Sequence, residues 1–388
     1  MKQRSREDWL KAGVTVGEDV DLENIADDVV IHPGSRIQGR TCSMGSGCVI
    51  GAESPAIVED CQLGRNVQLK GGFYSGSTFL DGSNMGSGAH VRGGTILEEE
   101  AGGAHSVGLK QAVFLPFVTA GSLINFCDAL MAGGTSRKNH SEIGSSYVHF
   151  NYTPHQDKAT ASLLGDVPNG VFMDNKPVFL GGQGGLVGPA RIAFGTVVAA
   201  GGVCRRDIAE PDQLHIPASL NEATRPYETG VYGNVDRIVR NNLSYIGNIM
   251  ALREWYRHVR CRFSRDRFDQ AVLAGGIKNL DLILAERIKR LGDLSEKMPH
   301  SIQWLEANGD SDGFVESQKR FMNAYPGIEA ALSNTDQGQD KEAMERFLNG
   351  LPESEKYIET IRSLAPDIRE SGHGWLQSIV TGVEQLWR

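Results

Sequence analysis

Large aliphatic side chains recur six residues apart through the first quarter of the chain. They fall at Val16 and Leu22, at Ile25, Ile31 and Ile37, at Met44 and Ile50, at Ile57, Leu63 and Leu69, and at Phe79, Met85, Val91 and Leu97. A helix needs apolar spacings of three and four, and a simple strand alternates by two, so neither fits. A small residue often follows the aliphatic (Gly17, Gly45, Gly64, Gly86), and a small or β-branched one often sits four places on (Val20, Cys48, Val67, Ala89). This is the pattern of a hexapeptide β-solenoid, in which short parallel strands form the sides of a prism and stack their aliphatics inward. The period resumes at Leu180, Leu186, Ile192 and Val198, and between about 101 and 178 it is broken by loops. Long loops on a regular scaffold are where function usually sits.

The period then changes. Val235, Val239, Leu243, Ile246 and Met250 form a helical stripe, as do Leu280, Leu284, Ile288, Leu291 and Leu294, and again Leu376, Ile379, Val380 and Val383. Helix ends are expected at Pro299, Asn308-Gly309, Pro326-Gly327 and Pro352. The segment Arg253–His258 is expected to pack as a helix face rather than touch a ligand. The expected division is a lead-in over 1–13, a parallel β-helix over 14–206, a linker over 207–232 and an all-α domain over 233–388.

With 48 acidic against 39 basic residues the net charge is -9, which argues against nucleic acid or an anionic membrane as a general partner. Six cysteines without a CxxC pair read as small buried residues in a reducing compartment, and no apolar run is long enough for a membrane span. A cytoplasmic location is expected.

The segment Arg92–Tyr152 carries the densest set of potential ligand contacts. A guanidinium fork at Arg92 and an ammonium at Lys110 suit a phosphate, and an amide such as Asn151 suits sugar hydroxyls. On RGGTILEE, GLKQA, AGSLINFCDA, FNY and GGQGGLVGPARIAFGTVVAAGG, the chain resembles the left-handed β-helix acyltransferase superfamily. Within it, the stretch 92–207 is similar to the acetyltransferase half of the bifunctional glucosamine-1-phosphate acetyltransferase and N-acetylglucosamine-1-phosphate uridylyltransferase. The resemblance implies acetyl-CoA or another acyl-CoA as co-substrate, a sugar phosphate or nucleotide-sugar as partner, and a homotrimer with sites between neighbouring prisms. It places Arg92 and Lys110 on the phosphate, Asn125, Glu142, Asn151 and Tyr152 about the sugar, and Gly182 and Ala200 along the acyl-CoA arm. No metal ligand set is expected, because His105, His140 and His149 lack the spacing of the metal-dependent members. Nucleotidyl transfer is not expected either, since no Gly-rich nucleotide loop precedes residue 14.

The departures are informative. Ser122 stands where the family has its histidine base, Asn125 where it has a tyrosine, Glu142 where it has an asparagine, Gly182 where it has a serine and Pro217 where it has an arginine. A neutral serine does not take an amine proton at neutral pH unaided. A relocated base is expected at His149, two residues from Asn151 and hence on its strand face, or at His140, with His105 a further histidine in the neighbouring coil. Two other readings stand beside the enzyme: a catalytically silent sugar-phosphate or nucleotide-sugar binding protein, and a structural trimer whose helical part binds a partner.

Overall fold

The computed structural model describes residues 4–309, 312–333 and 339–388. The polar stretches EANGDSDG (306–313) and SNTDQGQDKEA (333–343), which read as solvated loops in the sequence, fall partly outside it, at 310–311 and 334–338.

A left-handed parallel β-helix runs from Thr15–Val16 to Leu214–His215. Its strands make three faces. The first carries Arg36–Gln38, Ala56–Glu59, Gly72–Ser75, Ala89–Arg92, the opening halves of Val107–Phe114 and Ile124–Met131, Val148–Phe150 and Gly185–Val187. The second carries Ser43–Met44, Gln62–Leu63, Thr78–Phe79, Ile96–Leu97, the closing halves of those two long strands, and Ser162–Leu164. The third is a ten-stranded sheet from Val30–Ile31 to Leu214–His215. All these pairings are parallel, and each coil lies about 4.8 Å above the last.

Equivalent positions in successive coils make inward columns. On the first face the column is Ile37, Val58, Tyr74, Val91, Leu109 and Phe126, all buried. The small residues at the fourth place, among them Val20, Cys48, Val67 and Ala89, are buried at the corners. Ile57 differs from expectation. Val58 takes the inward slot opposite Ile37, because the insertion at 51–55 re-phases the coil by one residue.

The second face is covered. Its outward column, Ser43, Gln62, Thr78, Ile96, Val113, Leu130 and Leu163, is buried beneath helices. Helices Asp236–His258 and Arg267–Asn308 lie against it, with Asp312–Leu332, Lys341–Gly350, Tyr357–Arg362 and Pro366–Glu384 packed on them. Apolar residues of solenoid and helices therefore form one continuous core that includes Leu80, Ile96, Val113, Leu130, Trp255, Leu280 and Leu376. Arg253 to Tyr256 are buried in it, as the helix-face reading expects.

Two expected helix ends are not ends. Pro299 lies inside Arg267–Asn308, and Pro326 lies inside Asp312–Leu332. The buried stripe Leu291, Leu294, Met298, Ile302 and Leu305 continues through Pro299, and its burial outweighs the ~3 kcal/mol a proline costs a helix interior. Gly309, by contrast, ends the long helix with φ of 69°, a left-handed cap that glycine adopts without strain.

Candidate functional site

Arg92 and Lys110 are register partners in adjacent coils of the first face. Both side chains point outward, Arg92 exposed and Lys110 half-buried, and neither has an ion-pair partner among the described residues. Cys127, next in the same column, has its thiol beside Arg92; burial raises its pKa, with Asp128 adding and Arg92 opposing. Asn125 lies on the same face in the neighbouring outward column, after His90 and Gly108, and is exposed.

Asn151 and Tyr152 follow the end of the strand Val148–Phe150. The Asn151 amide donates to the Asp128 carboxylate, whose other oxygen meets Arg287 of the long helix at 3.1 Å. Arg287 also donates to Gln111 Oε1 at 2.8 Å and to the Lys158 carbonyl at 3.0 Å. Nothing in the sequence pattern singled out Asp128 or Arg287. Both sit at the edge where the helices meet the first face. Tyr152 is 55% exposed, with the Lys158 ammonium 5.8 Å from its ring centre.

His149 does not stand on the outer surface. It takes the inward slot beside Leu186, 1% exposed, with its ring 5.5 Å from that of Phe126. Nδ1 lies 2.5 Å from the Cys127 carbonyl and Nε2 2.8 Å from Ser162 Oγ. Burial lowers its pKa. A histidine with both nitrogens engaged inside the prism does not meet an acceptor amine, so the expectation of a base at His149 is corrected here. The shared face with Asn151 fails because the strand ends at Phe150.

His140 belongs to the hairpin Gly134–Ser136/Asn139–His140, where Nδ1 faces the Arg137 carbonyl at 2.9 Å and Nε2 lies 3.7 Å from Glu142. Glu142 is in the third face, paired with Thr119 and Phe179. The chain thus separates Glu142 and His140 from Arg92, Lys110 and Asn125, which stand on a different face.

Ser122 sits at the corner joining the third face to the first. Its Oγ lies 2.9 Å from Nδ1 of His105, one coil earlier, and its backbone N–H donates to Ser145 Oγ at 3.1 Å. The residues that follow, Ser106, Leu123 and Ser146, share φ values of 56°, 59° and 62°. Three coils turn this corner with the same left-handed step, which costs a non-glycine residue roughly 1–3 kcal/mol and brings His105, Ser122 and Ser145 into one row.

Along the same corner Gly182 and Ala200 come next. A Cβ on Gly144 would fall 2.4 Å from the Gly182 nitrogen, and one on Gly181 2.3 Å from the Ala200 nitrogen, so glycine is required for the coils to approach. Gly144 and Gly181 are buried by that approach, Gly182 is half-buried and Ala200 is exposed. Pro217 packs over Gly202 at the end of the row. A cavity of about 370 Å³ lined by Asp81, Glu99, Arg260, Arg265 and Tyr357 lies elsewhere, at the seam between solenoid and helices. Burial pushes the Glu98 carboxyl up to about 7 there, opposed by Arg260.

Among the described residues no group of three or more His, Cys, Asp or Glu is placed to hold a metal ion, and no helix is long and apolar enough to cross a membrane.

No protein-family model matches the chain. It is similar to the bifunctional protein GlmU of Thermotoga petrophila, 29% identical over 213 residues, which is 54% of this chain and 43% of that protein. It is also similar to the bifunctional protein GlmU of Trichlorobacter lovleyi, 28% identical over 223 residues, 56% of this chain and 44% of that one. The same protein of Shouchella clausii is 27% identical over 216 residues, 54% of this chain and 42% of the relative. The chain therefore resembles the bifunctional GlmU proteins over just more than half of its own length, and spans less than half of theirs.

Proposed function

We propose that this protein is an acyl-CoA-dependent acyltransferase acting on an amino-sugar phosphate or nucleotide-sugar. The observation that carries this reading is the pairing of Arg92 with Lys110 on an uncovered face. Two cations one coil apart, with no ion-pair partner within 4 Å among the described residues, match a dianionic phosphate bound by a fork and a point charge. Asn125 on the same face and Tyr152 beyond it supply polar and aromatic contacts for a sugar. The similarity to GlmU proteins supports the reading.

The acyl thioester arm suits the corner strip from Gly182 to Ala200, where a half-buried glycine and an exposed alanine present little side chain to an extended chain. Arg92, Lys110 and Asn125 on the first face and Glu142 on the third suit a homotrimer, in which a neighbouring prism unites the two. Exposed Leu123, Phe150, Phe179, Val197 and Leu214 on or beside those faces suit burial against a second copy. We place the protein in the cytoplasm, since all six cysteines are free and five are buried.

Titration calorimetry with glucosamine-1-phosphate tests the phosphate site. Arg92→Ala and Lys110→Ala are each expected to weaken binding by about 1.5–3 kcal/mol, the range of charge-assisted hydrogen bonds. Affinity unchanged from wild type in both variants would reduce the pair to surface charge. The second reading, a silent binding protein, draws support from Ser122 in the base position. It predicts the same binding with no thiol released from acetyl-CoA.

A further inference from the structure

We infer that His105 is the general base of the acyl transfer, and that Ser122 is a positioning residue holding its ring. The inference rests on the acyltransferase reading above and supplies the group which that reading lacks. Ser122 cannot hold the proton, and His149 is sealed inside the prism.

The two side chains meet across neighbouring coils at 2.9 Å, at a corner flanked by the two uncovered faces. The helices clad the face opposite this corner, so access to it is open. His105 is exposed, and Ser122 is half-buried. Backbone bonds fix both ends of the contact. Leu123 N–H donates to the His105 carbonyl at 3.1 Å, and Ser146 N–H donates to the Ser122 carbonyl at 2.8 Å. The Ser122 N–H is held in turn by Ser145 Oγ. With Nδ1–H donating to Ser122 Oγ, the lone pair on Nε2 is directed away from the serine and is free to accept a proton. The row continues past Ser145 to Gly182 and Ala200, the strip proposed for the thioester arm, and Asn125 lies three residues beyond Ser122 on the face of Arg92 and Lys110.

The step balances without a further reactant. The acceptor amine nitrogen bonds to the thioester carbonyl carbon, and His105 Nε2 takes a proton from that nitrogen as the tetrahedral intermediate forms. The carbon–sulfur bond then breaks, and the imidazolium returns the proton to the leaving thiolate. The products are the amide and the free thiol.

The test is steady-state release of thiol from acetyl-CoA with glucosamine-1-phosphate, for wild type, His105→Gln, Ser122→Ala and Ser122→Thr. His105→Gln is expected to lower kcat by about two to four orders of magnitude, with melting temperature and glucosamine-1-phosphate affinity unchanged. Ser122→Ala is expected to lower kcat roughly tenfold with KM unchanged, within the range of a lost hydrogen bond, and Ser122→Thr to restore it. Active wild type with an equally active His105→Gln overturns the inference and leaves the acyltransferase reading standing. If Ser122→Ala is as inactive as His105→Gln and wild type accumulates an acetylated serine seen by mass spectrometry, Ser122 is a nucleophile and the positioning role is overturned. No thiol release from wild type sinks the acyltransferase reading, and the inference with it.

Discussion

His149 and Phe126 occupy successive slots of one inward column, their ring centres 5.5 Å apart. An imidazole thus stands where the neighbouring coils place Phe126 and Leu186. Its two nitrogens are satisfied within the prism by the Cys127 carbonyl and the Ser162 hydroxyl. This geometry assigns His149 to stability. His149→Ala is expected to cost about 2–4 kcal/mol, from the cavity and the two polar groups left unmet, while turnover per folded molecule stays near wild type. The cost carries a pH signature. Burial lowers the pKa of His149, so below about 6.5 the unfolded chain binds a proton that the native state refuses. Stability from this group is complete above that pH and falls away beneath it. Urea midpoints at pH 7.5 and 5.5 should differ more in wild type than in His149→Gln; equal differences would remove the histidine from the account.

Arg287 is nearly sealed between the long helix and the solenoid, where it meets Asp128, itself 4% exposed. Arg287→Met is expected to destabilise by about 3–5 kcal/mol, since it strands a buried carboxylate. Adding Asp128→Asn should recover part of that loss. A double variant that is less stable than Arg287→Met alone would show that the pair does not act as a unit.

Phe179, Val197 and Leu214 are register partners in one outward column of the third face, and all three are exposed. If the prisms associate through the uncovered faces, Val197→Glu together with Leu214→Glu should lower the light-scattering mass from three times the 42.1 kDa chain to one. A wild-type protein that already scatters as a monomer contradicts the assembly.

The six-step period reports inward packing, and most of the solenoid was legible from it. His149 was misplaced there because alternation by two was carried past the strand end at Phe150, although it lies six residues after the inward Ile143. The clad face left a trace that the sequence reading did not use. Paired apolar residues at Ile96-Leu97, Val113-Phe114, Leu130-Met131 and Leu163-Leu164 fill both sides of one strand, which only a covered face demands. Corners are another matter. His105 and Ser122 meet because two coils turn with the same left-handed step, and that geometry leaves no periodic trace in side-chain type. The Asp128–Arg287 contact joins residues far apart in the chain, beyond the reach of any local pattern.

A bare solenoid is a stack in which each coil knows only its neighbours, and such stacks fray from their ends. Here the helices act as a splint. Through Asn279 on Thr78 and Gly94, Tyr256 on Glu98, Arg287 on Gln111 and Asn242 on Ala159, they tie a run of successive coils into a single mechanical unit. The row from His105 to Ser145 lies along that braced span, on its far side. Opening the middle of the rod therefore means detaching the splint first.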